Sequence, residues 1–120
     1  MEVKFLKNKT TNEVTMSLLG STDENLVELK ANSTDAAVEK HVPVVSMKGN
    51  TLHVQVGSVL HPMTEAHHIV FIALVTDKKA VMTRLDPIGK PEADFTVSIN
   101  ERPVAVYEYC NLHGLWVKEF

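Results

Sequence analysis

Cys110-Asn111-Leu112-His113 sets a thiol and an imidazole close together on one short stretch of chain. A turn of that spacing can aim a thiolate sulfur and a ring nitrogen at one point, which is half of a metal site. Three more histidines, His41, His61 and His67, fall at the edges of β-branched stretches or in the turns between them. Pro62 follows His61 and stiffens the loop that leads to His67. Neutral imidazoles with one thiolate suit iron or copper rather than calcium or magnesium. Each piece also has a plainer reading. C-x-x-H alone fits a buried structural thiol beside a chance histidine. A single histidine in a β-protein is mostly half-exposed or hydrogen-bonded. His53 fits that reading, since it alternates with apolar residues and points outward. Glu39-Lys40 alone is a solvated charge pair. Tyr107, Tyr109 and Trp116 are by default core and rim aromatics. On these residues alone the metal and the reaction stay open.

The elements that must position these side chains read as strands and turns. Val42–Met47 is β-branched, Lys48-Gly49-Asn50 is a turn, and Thr51–Val56 alternates, which together predict a hairpin. Ile69–Thr76 is an apolar run, Asp77-Lys78-Lys79 turns, and Ala80–Leu85 returns. Asp86–Pro91 holds two prolines and a glycine and reads as a loop. Phe95–Ile99, Val104–Tyr109 and Leu115–Lys118 read as further strands. No segment keeps a capped 3.6-residue period. The pattern predicts an all-β, immunoglobulin-like sandwich. Residues 1–36 differ: Lys7–Asn12 is polar, Val14–Leu19 and Leu26–Lys30 could be strands, and Ser21–Asn25 turns. They read as a small, weakly cored β appendage, with residues 37–120 as the functional domain.

Composition narrows the class. The chain has 120 residues, 44% of them hydrophobic, enough for one cored domain. Its formal net charge of −3 argues against a nucleic-acid partner, which calls for a basic surface. An anionic substrate would meet repulsion unless a local cation overrides the field. One cysteine excludes an internal disulfide, and the N-terminus lacks the features of a signal peptide, so a cytoplasmic home is expected. The longest apolar run is too short to span a membrane.

Several stretches carry a resemblance to a known family. They are Thr34–Val44 with Glu39-Lys40-His41, Val56-Gly57-Ser58-Val59, His61-Pro62-Met63, His67 with Ile69, and Tyr109-Cys110-Asn111-Leu112-His113-Gly114-Leu115-Trp116. In order and spacing they resemble the superoxide reductases, the desulfoferrodoxins and neelaredoxins. The resemblance implies one mononuclear iron with four histidine nitrogens as a square base and one axial cysteine sulfur. Carried over, the base is His41, His61, His67 and His113, and the axial ligand is Cys110. The family pattern selects His67 over His68, and neighbouring strand residues face opposite ways. The implied activity is reduction of superoxide to hydrogen peroxide by ferrous iron, without release of oxygen. Lys40 matches the family's lysine that attracts the anion. Glu39 matches the glutamate that can take the open position once the iron is ferric. Rubredoxin or a similar small redox protein is the implied electron donor, and a homodimer the implied assembly.

The chain departs from the family in places. Longer members carry an N-terminal desulforedoxin-like domain with four cysteines and a second, rubredoxin-like iron. Residues 1–36 resemble that domain but hold none of its cysteines, so one iron per chain is expected. The usual Glu-His-Tyr-Ile around the fourth ligand is here Ala66-His67-His68-Ile69, and a usual tryptophan is Phe71. A rival reading is a non-catalytic metal-binding β-sandwich module. Glu39-Lys40 discriminates, because a closed structural site has no use for a cation beside an open position. A plain adaptor without metal would leave four histidines and a thiol converging without purpose.

Overall fold

In a computed structural model that describes residues 2–120, the extended stretches form ten strands and one short helix. In chain order they are β1 (Lys4–Asn8), β2 (Val14–Ser17), β3 (Leu26–Glu28), α1 (Val38–His41), β4 (Pro43–Lys48), β5 (Thr51–Val56), β6 (Ile69–Thr76), β7 (Ala80–Arg84), β8 (Glu92–Thr96), β9 (Pro103–Cys110) and β10 (Gly114–Glu119). One sheet runs β10-β9-β6-β7 and faces a second, β4-β5-β8. All their pairings are antiparallel. The expected all-β sandwich is the fold.

β6 explains why the sequence holds a continuous apolar run rather than an alternating one. Its even residues, Ile72 and Leu74, enter the core between the sheets with Leu52, Val54, Val56, Phe95 and Val106. Its odd residues, Phe71, Ala73 and Val75, face outward and are also buried. What covers them is the N-terminal sheet, in the order β2-β1-β3. A strand covered on both faces can be apolar at every position.

The N-terminal sheet shares its core with the sandwich. Phe5 is 1% exposed, stacks on Phe71 at 5.6 Å between ring centroids, and meets Tyr107 at 4.7 Å. At its far end one carboxamide joins the β1–β2 turn to the approach to β3. Asn8 Oδ1 accepts from the backbone of Thr10 and Thr11 and from Asn25 Nδ2, at 2.8, 3.1 and 3.0 Å. The linker is tied as well. Asn32 donates its N–H to Leu115 O at 2.9 Å, and Val117 N–H donates to Asn32 Oδ1 at 2.9 Å. Phe5→Ala is expected to cost about 3 kcal/mol through the cavity it leaves against Phe71. Denaturant unfolding would show it, with faster amide exchange in β1 and β3 than in β5.

Three elements differ from the sequence reading. The strand expected at Phe95–Ile99 lies three residues earlier, because β8 pairs with β5 from Glu92 to Thr96. Beyond it the chain turns away, and Ile99 is 92% exposed. β1 begins where only a polar stretch from Lys7 was read, since its strand signal is short and rests on Val3 and Phe5 packing onto β6. α1 is a single turn, too brief for any periodicity to betray it.

Candidate metal centre

The histidines and the cysteine come from four separate places. His41 ends α1, and a tight approach fixes that turn. The Glu39 carbonyl accepts from Val59 N–H at 3.0 Å and from the Ser58 hydroxyl at 3.3 Å. A side chain at Gly57 would collide with that carbonyl and come within 2.8 Å of the Lys40 carbonyl carbon, so only glycine fits there. His61 follows this loop, its N–H donating to Val56 O at 3.0 Å. His67 closes the turn before β6. Cys110 ends β9, and the chain returns through Asn111-Leu112-His113 into β10. Gly114 makes that return possible with φ +79, a conformation favourable only to glycine.

One ligand atom each from His41, His61, Cys110 and His113 falls within 4.8 Å of all the others. His41 Nε2 and His113 Nδ1 lie 3.1 Å apart, and Cys110 Sγ lies 3.5 Å from His61 Nε2. His67 stands edge-on to two of these rings, its centroid 4.6 Å from that of His61 and 5.0 Å from that of His113. Its Nε2 is buried and has no hydrogen-bond partner. A buried ring nitrogen without a partner costs free energy unless something binds it. The donor set, four imidazoles and a thiol, fits a borderline transition metal such as iron.

Other contacts fix which nitrogens stay available. His41 Nδ1 meets Glu108 Oε2 at 3.1 Å. His61 Nδ1 donates to Pro62 O at 2.7 Å, which leaves the Nε2 lone pair free. Trp116 stacks on the His41 ring at 4.8 Å and 10°, and donates its Nε1–H to His113 O at 3.1 Å. Glu108 is fully buried, and its Oε1 has no partner. Burial raises its carboxyl well above the ordinary range. Burial also pushes the Cys110 thiol up, against the pull of the Leu112 and His113 backbone N–H groups, and the Glu108 charge pushes it further up.

Burial, then neighbouring positive charge, lowers His41 from 6.5 to about 4. Burial does the same for His61, to about 4, partly opposed by its bond to Pro62. Burial and His113 lower His67 as well. Near neutral pH the His41 and His61 rings are therefore uncharged, the form that can ligate a metal. Between pH 6.5 and 4 the unfolded chain takes up protons that the native fold refuses at His41 and His61. The metal-free protein is thus expected to lose stability, a few kcal/mol in all, as pH falls through that window. Urea midpoints measured across it would check this. A flat profile would count against neutral, buried rings.

The sequence-derived residues have mixed placements. His41, His61, His113 and Cys110 converge, and His67 packs against them. Glu39 and Lys40 are exposed on α1, and the Lys40 charge is felt at His41, His61 and His67. His68 turns away, its Nδ1 3.0 Å from Thr64 O. His53 sits on the sandwich surface, 2.6 Å from Asp94. Glu108 escaped sequence reading. The signal was there: Val106, Glu108 and Cys110 alternate onto one face of β9, which puts a carboxylate beside the thiol.

The sequence model of the family described as Desulfoferrodoxin matches residues 33–119. A desulfoferrodoxin from Clostridium acetobutylicum is 48% identical over 93 residues, spanning 78% of this chain and 72% of its own. The chain belongs to the desulfoferrodoxin family. A family member from Pyrococcus abyssi, a superoxide reductase, is 32% identical and covers 72% of this chain and 90% of its own. The crystal structure of the superoxide reductase from Treponema pallidum superposes with a TM-score of 0.84 at 35% identity. It spans 99% of this chain and 100% of its own, so the likeness extends over the N-terminal sheet. Among the described residues, no helix is long and apolar enough to cross a membrane.

Proposed function

We propose that this chain reduces superoxide to hydrogen peroxide at a single iron. The ligand atoms would be Nε2 of His41, His61 and His67, Nδ1 of His113, and Sγ of Cys110. The observation that carries the reading is the convergence of ligand atoms from His41, His61, His113 and the buried Cys110, with the His67 Nε2 left without a partner beside them. An iron held by these residues would supply the one electron that turns superoxide into peroxide, and Cys110 would be its electron-donating ligand.

The chain's own residues do the rest. Glu108 and the Pro62 carbonyl hold the His41 and His61 rings by their far nitrogens. The Leu112 and His113 N–H groups pull the Cys110 thiol toward thiolate against its burial, and a bound metal cation would complete the deprotonation. Lys40 supplies a cation at the mouth of the site, which offsets the net charge of −3 for an arriving anion. Glu39, its exposed neighbour on α1, would be the carboxylate offered to a position left open on the oxidised metal. Residues 1–36 serve as a cysteine-free counterpart of the longer relatives' N-terminal domain, packed on β6 as a structural layer. Rubredoxin or a similar small redox protein returns the electron, in a cytoplasmic homodimer.

Supplying superoxide and a reductant to the iron-loaded protein tests the activity by stoichiometry. Reduction yields one hydrogen peroxide for each superoxide and no oxygen. Half that yield, with oxygen released, would mean dismutation and would sink the proposal. Lys40→Ala is expected to slow the encounter by about tenfold at low ionic strength and to flatten its salt dependence, with iron retained. Equal rates in the variant at low salt would remove Lys40 from steering.

A further inference from the structure

We infer that Asn111, between the two residues of the C-x-x-H turn, is a positioning residue that sets the His67 imidazole. The inference rests on the ligand assignment above. His67 is the ligand least well held by its own surroundings: it sits in an irregular segment before β6, and its ring makes no hydrogen bond that fixes its orientation. Asn111 brackets that segment from both sides. Its Oδ1 accepts the N–H of His68 at 2.9 Å, and its Nδ2 donates to the carbonyl of Ala66 at 3.0 Å. Its own N–H donates to His68 O at 3.2 Å. One residue thus holds the main chain immediately before and immediately after His67.

The geometry suits a carboxamide in particular. A donor and an acceptor are needed on one planar group, to meet a carbonyl and an N–H two residues apart, and a carboxamide offers both at every pH. Asn fits the span from the 110–113 turn. The other end of the loop is closed independently. Thr64 N–H donates to His67 O at 2.9 Å, His67 N–H returns the bond to Thr64 O at 3.2 Å, and Ile69 N–H donates to Met63 Sδ at 3.3 Å. With that end fixed, Asn111 ties the His67 segment to the turn that carries Cys110 and His113. It couples the fourth histidine to the thiolate half of the site.

The test is a double-mutant cycle on the affinity of the full chain for Co2+, followed by its visible bands, with no turnover required. Asn111→Ala should weaken Co2+ binding about tenfold, the scale expected when a group orienting a ligand is lost. In the His67→Ala background the same change should have less than a twofold effect, because the ligand it orients is gone. Asn111→Asp keeps the acceptor and loses the donor, so it should fall between wild type and alanine. An equal loss from Asn111→Ala in both backgrounds would mean a general structural role and would overturn the inference. So would unchanged affinity in Asn111→Ala alone. Unchanged affinity in His67→Ala alone would instead remove His67 from the ligand set, and the underlying reading with it.

Discussion

Cys110→Ser is expected to abolish superoxide reduction and to remove the visible thiolate-to-iron absorption of the oxidised protein. The fold should survive. The side chain is fully buried between the sheets, and serine is slightly smaller, so the loss in stability is about 1–2 kcal/mol from a hydroxyl placed among Ile69, Val56 and Val106. The chemical loss is larger because no other side chain can replace it: the chain has one cysteine. The Leu112 and His113 N–H groups that stabilise a thiolate would face a neutral hydroxyl. A retained absorption band in the serine variant would contradict the axial assignment.

His67→Ala carries the second large effect, and His68→Ala is its control. The two are adjacent and similarly half-exposed, yet their nitrogens have opposite fates. His68 Nδ1 reaches Thr64 O in the turn, while His67 Nε2 is buried and unpartnered beside His61 and His113. Removing His67 would take away one of the five proposed ligands, and loss of iron to a chelator is expected to be about a hundredfold faster. Removing His68 costs one exposed hydrogen bond, about 0.5–1 kcal/mol, and iron should stay. The reverse pattern would mean that the wrong histidine was assigned.

Much of this candidate site was legible because His61, Cys110 and His113 lie at strand ends or in turns that carry their own punctuation. Pro62 after His61 and Gly114 after His113 mark where the chain must bend. Gly57 marks where α1 and the following loop must touch. What the sequence hid was of another kind. Glu108 looks like a surface charge in a half-buried strand until β9 is seen to be central, with both faces covered. α1 is one turn long and exists because the Val59 and Ser58 contacts hold the Glu39 carbonyl. The N-terminal sheet reads as poorly cored because its core is lent by β6: Phe5 finds its partners in Phe71 and Tyr107, far along the chain. The displaced β8 has the same cause, since its register is set by β5 rather than by its own apolar pattern.

The same layering ties the N-terminal sheet to the metal centre. Phe5 stacks on Phe71, Phe71 stacks on Tyr109 at 5.8 Å, and Tyr109 precedes Cys110. Asn32 binds β10 at Leu115 and Val117, either side of Trp116. The N-terminal sheet and its linker thus brace both β9 and β10, the strands of the turn that carries Cys110 and His113.

The most direct test of the account is a pulse of superoxide delivered to the reduced, iron-loaded protein, with absorbance followed in time. The account predicts that superoxide disappears at a rate proportional to protein concentration, that the ferric-thiolate band grows in, and that hydrogen peroxide forms without oxygen. Superoxide decaying at its spontaneous rate, with the iron still ferrous, would contradict it and leave a metal-binding module without this activity.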